Sequence, residues 1–215
     1  MHIQIHTLAK LAASLLLGGL AAHAGAQTVV LDSYGSDISY FDGWQTPLSA
    51  GNSVAVPFDI ASATSIQSIL TSIERHPDYA STGGVTLGIV ARQGALPTGA
   101  NWLYSTHVVD PVLNTTLTPS GWAIGAGSYW LLAVADGGFV GQWASPSADA
   151  TANWAYTTSP GAWAEVTTTY SGMPGARITV TSAVPEPATW GLMAAGGLLL
   201  AAAARRRQAT ARQQG

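Results

Sequence analysis

The sequence predicts an all-β protein: one antiparallel β-sandwich, jelly-roll-like, flanked by an N-terminal signal peptide and a C-terminal transmembrane helix. Three observations carry this. Between residues 27 and 183, short runs rich in Val, Ile, Thr, Trp and Tyr alternate with Gly, Pro, Asn and Ser punctuation, the pattern of strands and turns. Helical windows are nearly missing from that interval. Each end of the chain carries an uncharged apolar run, 11–22 and 188–204.

Residues 1–26 hold one lysine, Lys10, then the apolar run, then small residues ending in Ala24-Gly25-Ala26. This is the layout of a secretory signal peptide, because a run of about twelve residues is too short for a membrane span of about twenty. Signal peptidase is expected to cut after Ala26. A site after Ala24, with Ala22 and Ala24 flanking His23, satisfies the same rule.

The body, 27–183, forms one domain. Val54, Val56, Phe58 and Ile60 alternate, as do Val85, Leu87 and Ile89, and Ile178 and Val180 end the series, so each segment buries one face. Further strands are expected at 28–32, 102–109, 113–118, 129–135, 139–144, 153–158 and 162–170. Pro57 calls for an edge position or a bulge, since proline cannot donate to a ladder. The stretch 65–75 is ambiguous: Ile66, Ile69, Leu70 and Ile73 follow helical spacing, while their β-branched neighbours favour strand. We read it as strand, with a short packed helix as the alternative.

After the body, Val184, Pro185, Glu186 and Pro187 form an extended tetrapeptide, because each proline fixes its own φ and pushes the residue before it out of the helical region. Residues 188–204 carry no charge and, at about 1.5 Å per residue, span roughly 25 Å as a helix. Gly191, Gly196 and Gly197 weaken a helix in water, but in lipid the backbone must bond internally. Arg205, Arg206 and Arg207 begin a basic tail, 205–215, which stays cytoplasmic and places the body outside the cytoplasm.

Pro-Glu-Pro, a short glycine-interrupted apolar helix and a terminal arginine cluster together resemble the PEP-CTERM protein-sorting signal of Gram-negative bacteria, over residues 184–207. The resemblance implies handling by an exosortase, a membrane-embedded cysteine protease that cuts at or near Pro185-Glu186-Pro187 and releases or re-anchors the body at the envelope or outer surface. Species with such systems typically make exopolysaccharide. Within the body, Ala95-Leu96-Pro97-Thr98-Gly99 and Gly125-Ala126-Gly127-Ser128-Tyr129-Trp130-Leu131 resemble the choice-of-anchor families, particularly the R type. That resemblance implies an extracellular β-sandwich and no activity; Tyr129 and Trp130 are expected on opposite faces of their strand.

Charge and composition narrow the function. Residues 27–187 hold three arginines, no lysine and eleven carboxylates, a formal charge of −8, so a nucleic-acid partner is excluded. Cysteine is absent, so the exported body relies on its core rather than disulfides. No nucleophile elbow, catalytic cysteine or Ser-x-x-Lys occurs, and His76 and His107, the body's histidines, show no triad spacing. Asp32, Asp37 and Asp42 lie five apart and do not match a calcium loop. We therefore expect no enzyme activity, no metal and no cofactor. Seven tryptophans in the body are the remaining excess, and indole rings either fill a core or stack on sugar rings from an exposed face. Trp143, Trp154, Tyr156 and Trp163, set among small and polar residues, are the candidates for glycan stacking. The leading expectation is a non-enzymatic protein of the envelope or biofilm matrix associated with exopolysaccharide. The alternatives are a secreted hydrolase with an unrecognised site, marked by a histidine with a carboxylate in reach, and an ice- or surface-binding module, for which Thr167-Thr168-Thr169 is a single threonine cluster rather than an array.

Overall fold

A computed structural model describes residues 26–35, 45–146, 153–157, 162–167, 172–181, 191, 193 and 195–200. The body, residues Gln27–Ser182, is one compact unit, and Met1–Ala26 with Ala183–Gly215 is grouped apart from it. The signal peptide, the Pro-Glu-Pro tetrapeptide and the arginine cluster lie outside the described residues, as do Asp37 and Asp42.

Fourteen described strands build the body: β1 Gln27–Asp32, β2 Gln45–Ser49, β3 Ser53–Ile60, β4 Thr64–Thr71, β5 Ile73–Arg75, β6 Gly84–Ala91, β7 Trp102–Val109, β8 Thr115–Leu117, β9 Ala123–Ile124, β10 Gly127–Ala135, β11 Val140–Ala144, β12 Trp154–Thr157, β13 Trp163–Val166 and β14 Ala176–Thr181. Every described pairing is antiparallel. One sheet runs β1-β14-β4-β8 with β9 also on β4, a second runs β13-β12-β3-β10-β6-β7, and a third runs β2-β11-β5. A common core draws Leu31 and Ile178 from the first sheet, Val56, Leu87 and Leu131 from the second, and Leu48 and Trp143 from the third. The three antiparallel sheets thus share one core, and the body is all-β.

The alternating segments bury as their period requires. Val54, Val56, Phe58 and Ile60 enter that core with Val85, Leu87 and Ile89 opposite them through β10. The outer face of the six-stranded sheet carries a second apolar cluster of Ala55, Val90, Trp130, Leu132 and Ala155, flanked by Leu96, Trp102, Val134 and Trp163. Tyr129 and Trp130 fall in different clusters, on opposite faces of β10. Tyr129 donates its hydroxyl to the Gly125 carbonyl at 3.0 Å, and a side chain at Gly127 would approach that phenol to 3.1 Å. The glycines of this stretch therefore make room for a pinned strand entry.

The 65–75 stretch is strand, and a bulge explains its misleading spacing. In the β14–β4 register Thr179 faces Ser68 but Val180 faces Ile66, so Gln67 is an extra residue. It shifts the alternation by one, and Ile66 and Ile69, three apart, both reach the core. A matching bulge at Val30 of β1 flanks Thr179 on its other side.

Pro57 requires a correction: β3 is interior, between β12 and β10, and its pairing with β10 runs without a break through Pro57 opposite Trp130. The accommodation is local, because β12 pairs only with Ser53, Val54 and Ala55. At Pro57 the strand is bonded on one flank among the described residues. Strand 113–118 shortens to β8 because Asn114 adopts φ 63°, a left-handed conformation that asparagine tolerates. The segment 162–170 is described as strand over β13 alone.

Ser72 marks where the chain passes from the first sheet into the third. Its amide donates to the Gly175 carbonyl, its carbonyl accepts from Ala144, and its hydroxyl lies within hydrogen-bond reach of the Ala144 and Gly175 carbonyls at 2.5 and 3.1 Å. Trp143 donates its indole N–H to the same Gly175 carbonyl. Ser33 joins Pro174 and Ala176 nearby, and burial pushes the Tyr34 phenol well above its ordinary range. Buried backbone at a strand crossing needs such partners, and three serines supply them with Ser145 bonded to Gly172.

Candidate functional site

Among the described residues, two surface arrangements of polar side chains are candidates for a site. The first is a half-open concavity of about 430 Å³ between edge strand β7 and the connection from β8 to β9, lined by Ser105, Thr106, Leu117, Thr118, Pro119, Ser120 and Trp122. β7 ends the six-stranded sheet and β8 ends the first sheet, so this is an open side of the body. Alternation places Thr106 toward the interior and Ser105 outward, while Gly121, at φ 75°, turns the chain so that Trp122 drops back into the core. Trp122 is 8% exposed, and Tyr104 stacks on it at 5.4 Å with planes 16° apart. The Tyr104 hydroxyl donates to the Ala123 carbonyl, which fixes that ring in turn. The lining holds hydroxyls and apolar surface with no charged group.

The second is His107 with Asp136. His107 on β7 faces Thr86 of β6, and its Nε2 lies 2.9 Å from Asp136 Oδ2. The same oxygen accepts from the Gly84 amide at 2.8 Å. The hydrogen bond from His107 and the one from Gly84 hold the Asp136 carboxyl below the usual carboxylate range. The pair lies on an exposed face outside the concavity, and among the described residues no hydroxyl is hydrogen-bonded to His107. Asp136 also opens the turn into β11, where the Phe139 amide donates to its carbonyl. The arrangement thus ties β6, β7 and the β10–β11 turn together. His76 packs edge-on against Tyr79 at 4.6 Å and accepts the Asp78 amide.

The aromatic candidates do not form one patch. Trp143 is fully buried and Trp154 is 3% exposed, so the expectation that small and polar neighbours leave them open is corrected. Gln142 and Ala144 beside Trp143, and Ala155 beside Trp154, are buried as well, so small or polar neighbours in these strands do not mark an exposed face. Tyr156 and Trp163 are half-buried on opposite faces of the sheet: Tyr156 packs on the main core and Trp163 on the outer cluster. Trp122, read in the sequence as one of the body's seven tryptophans, lines the concavity; its signal in sequence was the Thr118-Pro119-Ser120-Gly121 turn beside it. Asp32 is engaged by Arg177 at 3.0 Å and by the Tyr34 amide. Among the described residues no three His, Cys, Asp or Glu side chains cluster to hold a metal. Thr167 is exposed, and Thr168 and Thr169 lie outside the described residues.

Gly191, Met193 and residues 195–200 are helical, with Leu198, Leu199 and Leu200 at least 70% exposed. Among the described residues no helix is long and apolar enough to cross a membrane, and the rest of 188–204 lies outside them. Residues 183–207 match the family model described as the PEP-CTERM protein-sorting motif. No curated protein and no solved structure matches the chain.

Proposed function

We propose that this is an exported, non-enzymatic protein of the cell envelope or biofilm matrix, sorted by an exosortase and associated with exopolysaccharide. The observation that carries the sorting half is the match of residues 183–207 to the PEP-CTERM motif, which sets Pro185-Glu186-Pro187 ahead of an uncharged run and the three arginines. On this reading signal peptidase removes residues 1–26, the segment 188–204 holds the precursor in the membrane, and the exosortase separates it from the body. The body acts as an extracellular module of the choice-of-anchor kind, without cofactor. Peptide mapping and intact mass of envelope material test the processing: the mature protein lacks residues 188–215, and recovery of peptides containing Arg205 from it would refute the reading.

A secreted hydrolase is the second reading, and the contact between His107 and Asp136 is what favours it. Against it stands the geometry around that pair, where the carboxylate is shared with a backbone amide as a brace and the histidine faces open solvent. Incubation of the protein with the producer's matrix polysaccharide is expected to release no soluble oligosaccharide. Release that disappears in His107→Ala would establish the hydrolase instead.

A further inference from the structure

The geometry points to the concavity between β7 and the β8–β9 connection as a binding subsite for one unit of an uncharged glycan chain. This deepens the association with polysaccharide proposed above and rests on it.

Three features select the ligand class. The lining presents the hydroxyl-bearing side chains of Ser105, Thr106, Thr118 and Ser120 around an apolar floor of Leu117, Pro119 and Trp122. A sugar ring has the same composition, hydroxyls around an edge and C–H groups on a face. It satisfies both without leaving a buried charge or an orphaned donor. No lining side chain is charged, and residues 27–187 carry −8, so an anionic polymer meets no partner and is repelled. The volume of about 430 Å³ falls within the range of ligand clefts, and the half-open form leaves room for a chain to enter and leave rather than for a sealed small molecule.

Position and stiffness argue in the same direction. Among the described residues both bordering strands are sheet ends, β7 paired with β6 and β8 with β4, so the rim offers backbone groups as well as hydroxyls to a passing polymer. Tyr104 stacked on Trp122 and bonded to Ala123 holds the floor in place before any ligand arrives, which lowers the ordering cost of binding. A single such contact is weak. Many copies displayed on one surface along one polymer raise apparent affinity by about 10² to 10⁴.

The test uses the full-length protein in affinity electrophoresis through gels cast with soluble neutral glucans or with alginate, and in pull-down on the producer's own exopolysaccharide. Retardation by a neutral polymer, unchanged from low to high salt and absent with alginate, is expected. Ser105→Arg and Ser120→Arg fill the mouth at exposed positions and are expected to weaken retention by about tenfold or more. Trp122→Phe keeps the core filled while shrinking the floor, and is expected to weaken retention with circular dichroism unchanged. If wild type and all three variants are retained equally, the subsite is wrong while the association stands. If the folded wild-type protein ignores every neutral polymer and the exopolysaccharide, both are overturned. Preferential retention by alginate overturns the uncharged class, and retention only by added extended peptides would make the β7 edge a strand-pairing site instead.

Discussion

Trp143 and Trp163 have the same side chain and opposite situations. The first is fully buried with its N–H bonded to Gly175, the second half-buried on the outer cluster. Trp143→Ala is expected to lose about 3–5 kcal/mol of unfolding free energy in urea titration, the usual loss for a large core aromatic. Trp163→Ala should lose clearly less, and equal losses would mean the outer cluster is as closed as the core. Neither outcome was legible in the sequence, because small or polar flanking residues do not mark an exposed face. Asp136 gives a second residue-scale expectation. Its folded carboxyl is held below the ordinary value of about 3.9 by His107 and Gly84, so it contributes stability above that value. The contribution fades as pH falls through the lowered value. The stability gap between wild type and Asp136→Asn, measured by urea midpoints, should therefore be widest near neutrality and narrow on acidification; a gap independent of pH would rule out the ionised brace.

At the scale of elements, the strands with strict alternation were readable, and the places where reading failed are where geometry breaks the period. In β4, Gln67 adds a residue that puts Ile66 and Ile69 on one face and imitates a helical stripe. Deleting Gln67 would straighten the ladder and leave Ile66 two places from Ile69, on the same face and still opposite Val180. A change of less than about 1 kcal/mol is therefore expected, because no core side chain changes face. A fall in the urea midpoint as large as that of Ile66→Ala would show that the bulge itself is needed to hold the ladder. β2 went unseen because Pro47 interrupts it; it survives as an end strand bonded to β11. The Ser72 crossing was invisible because its partners, Ala144 and Gly175, are distant in sequence. Ser72→Ala removes one hydroxyl donor from carbonyls that keep other donors, the Gly175 amide on Ala144 and the Ser72 amide and Trp143 indole on Gly175, and is expected to cost about 0.5–1.5 kcal/mol. Gly175→Ala should also destabilise, since its Cβ would sit 2.5 Å from the Ser72 hydroxyl.

For the whole molecule, the tail was the most legible part and the concavity the least, since the latter is assembled from strand β7 and the β8–β9 connection and has no linear motif. Replacing Pro185, Glu186 and Pro187 with alanine should abolish processing while export continues, read as a precursor that accumulates at the inner membrane with its signal peptide removed; normal maturation of that variant would mean the sorting machinery reads another segment. The pairing of β1 with β14 sets Gln27 opposite Thr181, and β14 lies between β1 and β4. A body tethered through its C-terminal end and dragged by a moving polymer takes the pull on an interior strand held by two ladders. Tension applied at Gln27 would instead peel a border strand from one neighbour. Single-molecule stretching through residue 181 should therefore need greater force to open the body than stretching through residue 27.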